Sequence, residues 1–406
     1  MKATIAMAIW MGVACAGANP LPEYQFVDFQ PPYSDDHQAY WDYLNAISDA
    51  GHIVGISNWD YNDGDIVYGF AGAPRVLPRR GAVYDVNVHG QFVGEYHEDY
   101  AIEPWVATFD GVVESLPLPK GFRRGIPAGI SDTGWICGVV DDFEPGDSEA
   151  VFRPWVIDPQ GNSISLGDDY PIEGRPWAGA VFDINDDGVA VGYMGHQVEF
   201  IADYKPVVWD PLHGARLLDV PRPEAQVPNQ ALAINAHGMI VGTVWDATGR
   251  RAAYWDSDGT LHLIPSNGPA RAISINDQGH VVVWEGSLEN ARAFLWDPVH
   301  GARYIEDLLP GYYFYTPGQI TNNGTVIVSY SNQPNDRNPR DTIIRPRTCP
   351  GDANGSEAVD LADVETVLYS FGWSSGPCLV GDVDCSGTVD LDDLNLVLLN
   401  FGTVCE

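Results

Sequence analysis

Ile184-Asn185-Asp186-Asp187-Gly188-Val189-Ala190-Val191-Gly192 is one of seven versions of a single phrase. The others are Ile47-Ser48-Asp49-Ala50-Gly51 through Gly55, Val86-Asn87-Val88-His89-Gly90 through Gly94, and Ile130-Ser131-Asp132-Thr133-Gly134 through Gly138. Ile234-Asn235-Ala236-His237-Gly238 through Gly242, Ile275-Asn276-Asp277-Gln278-Gly279 and Ile320-Thr321-Asn322-Asn323-Gly324 complete the set. The first glycines are 39, 44, 54, 50, 41 and 45 residues apart. A small polar residue that can bond its own backbone, followed by a glycine able to take positive φ, is turn chemistry. The flanks are β-branched and aliphatic, so each phrase reads as a β-hairpin.

A second hairpin follows in most copies: Pro206-Val207-Val208-Trp209-Asp210 to Gly214, Ala253-Tyr254-Trp255-Asp256 to Gly259, and Ala293-Phe294-Leu295-Trp296-Asp297 to Gly301. Two hairpins make four antiparallel strands, and a period near 45 of that kind points to propeller blades. The expected fold is all-β: a seven-bladed β-propeller over residues 19–346. After Thr342-Ile343-Ile344 the last copy lacks a fourth strand, and Tyr24-Gln25-Phe26-Val27-Asp28-Phe29 fits that place, which would remove both free sheet edges. An open β-solenoid and paired sandwiches are the alternatives. Trp105, Trp155, Trp209, Trp255 and Trp296 read as core.

The Ala293-Phe294-Leu295-Trp296-Asp297 string, with the Ile-Asn-x-x-Gly phrase upstream, resembles the HAF-type extracellular repeat over roughly residues 40–345. Arg292 stands where the family has the His of its name. The resemblance implies a secreted repeat protein and carries no defined activity.

Residues 349–406 read differently. Asp352, Asn354, Ser356, Asp360 and Asp363 fall at positions 1, 3, 5, 9 and 12 of a loop, with the Ala358 carbonyl at position 7. Asp382, Asp384, Ser386, Asp390 and Asp393, with Thr388 at position 7, repeat the pattern 30 residues later. This is the oxygen spacing that a hard cation takes from a twelve-residue loop, so two calcium ions are expected. Glu357 occupies position 6 of the first loop, where glycine fits the tight turn, so the first site should be the weaker. Val364, Val367, Leu368 and Phe371, and then Leu394, Val397, Leu398 and Phe401, mark an apolar stripe on a helix after each loop, predicting that the two copies pack face to face. The tandem loops, the Asp at position 12 and the missing entering helix resemble a type I dockerin. That resemblance implies calcium-dependent folding and a cohesin-like protein partner. Positions 10 and 11 depart from the family's small hydroxyl residues, being Leu361-Ala362 and Leu391-Asp392.

Charge and cysteine usage set the compartment. Acidic residues outnumber basic ones by 56 to 21, a formal charge of −35, which argues against nucleic acid and against an anionic membrane surface. Lys2, the apolar run Ala3–Cys15 and Ala16-Gly17-Ala18 read as a signal peptide over residues 1–18, and the run is too short to span a bilayer. Cleavage before Cys15 with lipid anchoring is the rival reading. Cys349, Cys378, Cys385 and Cys405 crowd into the tail and read as staples. Either Cys349–Cys378 with Cys385–Cys405 or a Cys349–Cys405 clasp would serve. Cys137 reads as a buried, inert thiol.

Catalytic signatures are missing from the sequence: it holds no G-x-S-x-G elbow, H-E-x-x-H pair or phosphate loop. The histidines are scattered, and His89, His213, His237 and His300 repeat at turns. Just past the Val-Gly strands stand aromatic residues beside acids: Trp59, Asp60, Tyr96, Glu98, Tyr193, Trp245, Asp246, Trp284 and Glu285. Such a set either packs between blades or forms a face for stacking sugars. The expected function is a secreted, non-catalytic binding or display protein. A polysaccharide-degrading enzyme and an extracellular structural protein are the alternatives.

Overall fold

The computed structural model describes residues 24–26, 43–60, 63–70, 73–98, 101–142, 152–166, 178–198, 201–286, 291–309, 311–331, 340–346, 359–372, 383 and 389–402. The signal-peptide expectation and all four tail cysteines fall outside them.

The seven phrases form seven turns. Gly51, Gly90, Gly134, Gly188, Gly238, Gly279 and Gly324 all take φ between 70° and 90°, where an L side chain is strained. In each turn the glycine N–H donates to the carbonyl of the residue three before it, as Gly188 does to Asn185 at 3.0 Å. The second glycine of the phrase is needed for a different reason. A Cβ on Gly192 would stand 2.0 Å from the Ala180 carbonyl oxygen, and one on Gly242 2.1 Å from that of Gln230. Neither has positive φ; the neighbouring strand leaves no room.

Most of the chain is antiparallel sheet. Five sheets have four strands each, and one has seven, running from Tyr43–Ile47 to Val113–Ser115. In the seven-stranded sheet the 14-residue strand Ala73–Val86 serves two neighbours. Its first part, residues 73–81, pairs with Asp63–Phe70, and its last part, residues 81–86, with Gln91–Glu98. The strand Tyr24–Phe26 pairs antiparallel with Arg340–Pro346, next to the strands Val326–Ser331 and Tyr313–Ile320.

Successive sheets bury their faces against each other. Val191, Val208 and Leu218 pack with Ile234, Ile240 and Trp255 of the next sheet. Ala233, Val241 and Ile264 of that sheet pack in turn with Val281, Phe294 and Trp296 of the one after. Leu44, Ile47 and Ile53 of the first sheet join Ile327 and Ile343 of the last. Trp105, Trp155 and Trp255 are fully buried and Trp296 nearly so, while Trp209 is partly buried. At about 25 cal/mol per Å² of apolar surface, these large side chains dominate the stabilisation of the sheets.

The tail contributes the helices Leu361–Ser370 and Leu391–Leu399. Asp360 and Asp390 cap them, each accepting from the N–H two residues on, while Asp363 and Asp393 accept from the cap residue's own N–H. Val359, Val367, Val389 and Val397 form a small core with Val364 and Leu394 at its edge. Only half of each predicted stripe is used. Leu368, Phe371, Leu398 and Phe401 remain 45–54% exposed, because the helices meet along the valine side alone.

Candidate functional site

In four of the seven phrases the residue before the first aliphatic is polar and lines a central hollow, next to a bulge in its strand. Register shifts fall between Val83 and Asp85, Val181 and Asp183, and Ala272 and Ser274. A bulge re-aims the side chain that follows it. Asp85 thus accepts from the Ile130 N–H of the next sheet, Asp183 from that of Ile234, and Ser274 from that of Ile320. Gln319 accepts from Ile47 and donates to Asp85 Oδ1, joining positions 234 residues apart.

A second collar lies at the turns. The Asn87, Asn185, Asn235 and Asn276 amides each donate to a carbonyl in the following sheet, while the Asn oxygen accepts from its own turn. The residue one or two positions further along repeats the link. Val88 N–H donates to Asp132, Thr133 N–H to Asp186, Ala236 N–H to Asp277 and Asp277 N–H to Asn322. Asn322 N–H donates to Asp49, which ties the last sheet to the first. Val88 and Ala236 carry no acceptor, and among the described residues no such link arrives at either. The two collars line a hollow of about 180 Å³.

The electrostatics of this hollow are those of burial. Asp85 is pushed up to about 7 by desolvation, with the Asp183 charge adding to it and the Ile130 N–H opposing. Asp183 is raised by burial against the bonds from Ile234 and Ile184. Asp49 is raised by burial, and Asp132 and Asp277 add to the shift. The Cys137 thiol, fully buried nearby, is pushed well up by burial and then by Asp183 and Asp85. Burial of this kind disfavours the thiolate. Both oxygens of Asp85 and of Asp183 accept hydrogen bonds, three of the four from other sheets. Neither the collars nor their acids were singled out from the sequence. The available signal was the polar residue just before the phrase's first aliphatic: Asp85, Asp183, Ser274 and Gln319.

The aromatic face is only partly assembled. Tyr96 is buried and stacks on Trp105 at 5.1 Å between centroids. Tyr193 packs between Phe182 and Tyr204. Glu285 is buried, accepting from the backbone of Asn267 and Gly268 and from the Tyr304 hydroxyl. Asp246 is held in its own turn by Thr248 and Gly249 and by Arg251. Trp245 and Trp284 are half-buried, and Arg250 connects them: it sits opposite Trp245 across paired strands, with its guanidinium 5.5 Å from the Trp284 ring centroid. The side chains of Trp59, Asp60 and Glu98 lie outside the described residues. His213 and His300 each bond an Asp three residues earlier, Asp210 and Asp297, which makes them turn residues.

Of the expected calcium ligands, Asp360, Asp363, Asp390 and Asp393 are described; Asp352, Asn354, Ser356, Ala358, Asp382, Asp384, Ser386 and Thr388 lie outside. Among the described residues no group of three or more His, Cys, Asp or Glu is gathered to hold a metal. Asp363 and Asp393, the position-12 pair, are fully buried, and Asp393 Oδ1 accepts from the Val383 N–H of its loop. The two copies are tied reciprocally. Gly372, ending the first helix, donates to the Val389 carbonyl; Gly402, ending the second, donates to that of Val359. Residues 349–406 contain eight Asp and three Glu, and no Lys, Arg or His.

No family model matches the chain, and no curated protein matches it. Solved structures do. The β-propeller domain of the Trilobed protease from Pyrococcus furiosus, described as having an open velcro topology, aligns with TM-score 0.50 at 12% identity, covering 75% of this chain and 95% of that one. The likeness shows a β-propeller fold. Virginiamycin B lyase from Staphylococcus aureus aligns at TM-score 0.48 and 12% identity, over 74% of this chain and 94% of that one. TolB from Acinetobacter baumannii aligns at TM-score 0.38 and 13% identity over 59% of this chain, which spans 58% of TolB.

Proposed function

We propose that the chain is an exported, non-catalytic binding protein, in which a seven-bladed propeller displays a recognition surface and a calcium-folded tail docks to a cohesin-type partner. Seven blades follow if the seven-stranded sheet is read as two four-strand units sharing Ala73–Val86, with Tyr24–Phe26 completing the last. A non-catalytic body fits the central hollow, where the buried acids are spent on bonds between sheets.

The observation that carries the reading is the tail's charge. Eleven carboxylates with no cationic side chain, two of them fully buried at position 12, need a counter-charge from elsewhere. A divalent ion on oxygen ligands supplies it. Asp382, Asp384, Ser386, Asp390 and Asp393 with the Thr388 carbonyl would hold one ion, and the equivalent set from Asp352 to Asp363 the other. When bound, calcium would neutralise the loops and fix each to its helix, so that binding energy is folding energy. The exposed pairs Leu368 with Leu398 and Phe371 with Phe401 leave an apolar surface on each helix for the partner.

Calcium titration of the purified full chain by calorimetry tests this. Two ions per chain, the second loop tighter, are expected. Unchanged stoichiometry in Asp382→Ala/Asp393→Ala would refute the ligand set.

A further inference from the structure

A group of unsatisfied donors stands where two neighbouring sheets meet. Trp245 and Arg250 face each other across the strands Ile240–Trp245 and Arg250–Trp255. Arg271 and Trp284 do the same across Ala270–Ile275 and Val281–Glu285. The Arg250 guanidinium over the Trp284 ring joins the two pairs into one cluster. The indole N–H groups of both tryptophans and the Arg250 Nε are buried with no acceptor. Arg250 does reach one acceptor, the Gly286 carbonyl at 3.0 Å. Among the described residues neither Arg250 nor Arg271 forms an ion pair. The nearby acids are engaged elsewhere, Glu285 by Asn267 and Tyr304 and Asp246 by its turn and Arg251.

Two guanidinium groups left side by side are anomalous in a chain of charge −35. Burial pushes both below the usual arginine range, and the charge of Arg250 lowers Arg271 further. A buried donor without an acceptor is destabilising, and this cluster has three. Its complement is an anion. The planar guanidinium fork matches a carboxylate, and the half-buried indole rings beside it offer a stacking face for a sugar ring. The overall negative charge repels a dense polyanion, which favours a ligand with one carboxylate per ring.

We propose that Arg250 and Arg271, framed by Trp245 and Trp284, bind the carboxylate of an acidic saccharide. This rests on reading the propeller as a recognition surface and is independent of the calcium tail.

The test titrates the full chain, calcium-loaded, with trigalacturonic acid, following tryptophan fluorescence and heat. A neutral trisaccharide and an acetylated triglutamate peptide run in parallel. Saturable binding of the uronate alone is expected, weakened at least tenfold in Arg271→Gln and only partly restored in Arg271→Lys, with unchanged circular dichroism. Should Arg271→Gln fail to fold, the indole N–H resonances of the wild-type chain, identified with Trp245→Phe and Trp284→Phe, decide instead. Trigalacturonate must shift both. No saturable binding, equal binding of the neutral sugar, or preference for the peptide overturns the proposal. Neutral-sugar binding unaffected by Arg271→Gln would remove this site while keeping the propeller as a recognition surface.

Discussion

The propeller and the tail solve the same problem, a surplus of carboxylates, in opposite ways. In the propeller the acids are used as connectors: Asp85, Asp132, Asp183, Asp186 and Asp277 each accept a backbone N–H from a neighbouring sheet. Each bond adds about 1 kcal/mol to a body already held by buried tryptophans. The tail has a core of four valines and no basic residue. A unit of that size is marginal on apolar burial alone. The propeller's stability is thus written into its own contacts, whereas the proposed calcium ions would supply what the tail's contacts lack.

The largest expected effect breaks that comparison directly. Adding EGTA to the full chain should abolish one calorimetric transition, the tail's, and leave the propeller transition and its β circular dichroism intact. A calorimetric profile unchanged by EGTA would sink the calcium-folded tail. Next, Trp255→Ala should cost about 3–5 kcal/mol of propeller stability in urea without changing the calcium stoichiometry, because Trp255 is fully buried and its indole N–H donates to the Asp219 carbonyl.

A pH series sharpens the contrast. Asp85 is raised from 3.8 to about 7 in the folded chain, so the folded state binds a proton that the unfolded state releases. Its contribution is complete below pH 3.8 and is lost as pH rises through about 7. The difference in stability between wild type and Asp85→Asn should therefore change by up to roughly 4 kcal/mol between pH 4 and 8, to the wild type's disadvantage at the higher pH. A flat difference would mean that the two bonds Asp85 accepts hold it ionised throughout. The smallest effect belongs to the turns. Asn235→Ala removes its bonds to His237, Met239 and Asn276, and should lower propeller stability by about 2 kcal/mol while calcium binding stays as it was.

The turns and the strand pattern were legible because the phrase carries local chemistry. Positive φ at Gly188 and its six equivalents follows from neighbours within four residues. The need for the second glycine was not legible, since Gly192 is dictated by the Ala180 carbonyl on another strand. The sites divide the same way. Loop spacing from Asp352 to Asp363 can be read along the chain. Asp85 and Gln319 meet only after 234 residues of intervening sheet, and Arg250 meets Trp284 only because two sheets pack. Periodicity says which residues are buried, not which of them lie next to each other. For the same reason the stripe predicts face-to-face packing while Leu368 and Phe371 stay exposed: a 3.6-residue repeat fixes a face but not how wide the partner is.

The crossed bonds of the tail, Gly372 to Val389 and Gly402 to Val359, have a consequence for how such a unit is gained or lost. Each half keeps the acceptor that closes the other, so cutting the chain between the helices strands both glycine donors at once. A truncation that spares one loop therefore removes the acceptor on which the surviving glycine closes, which favours transplanting or deleting this segment whole.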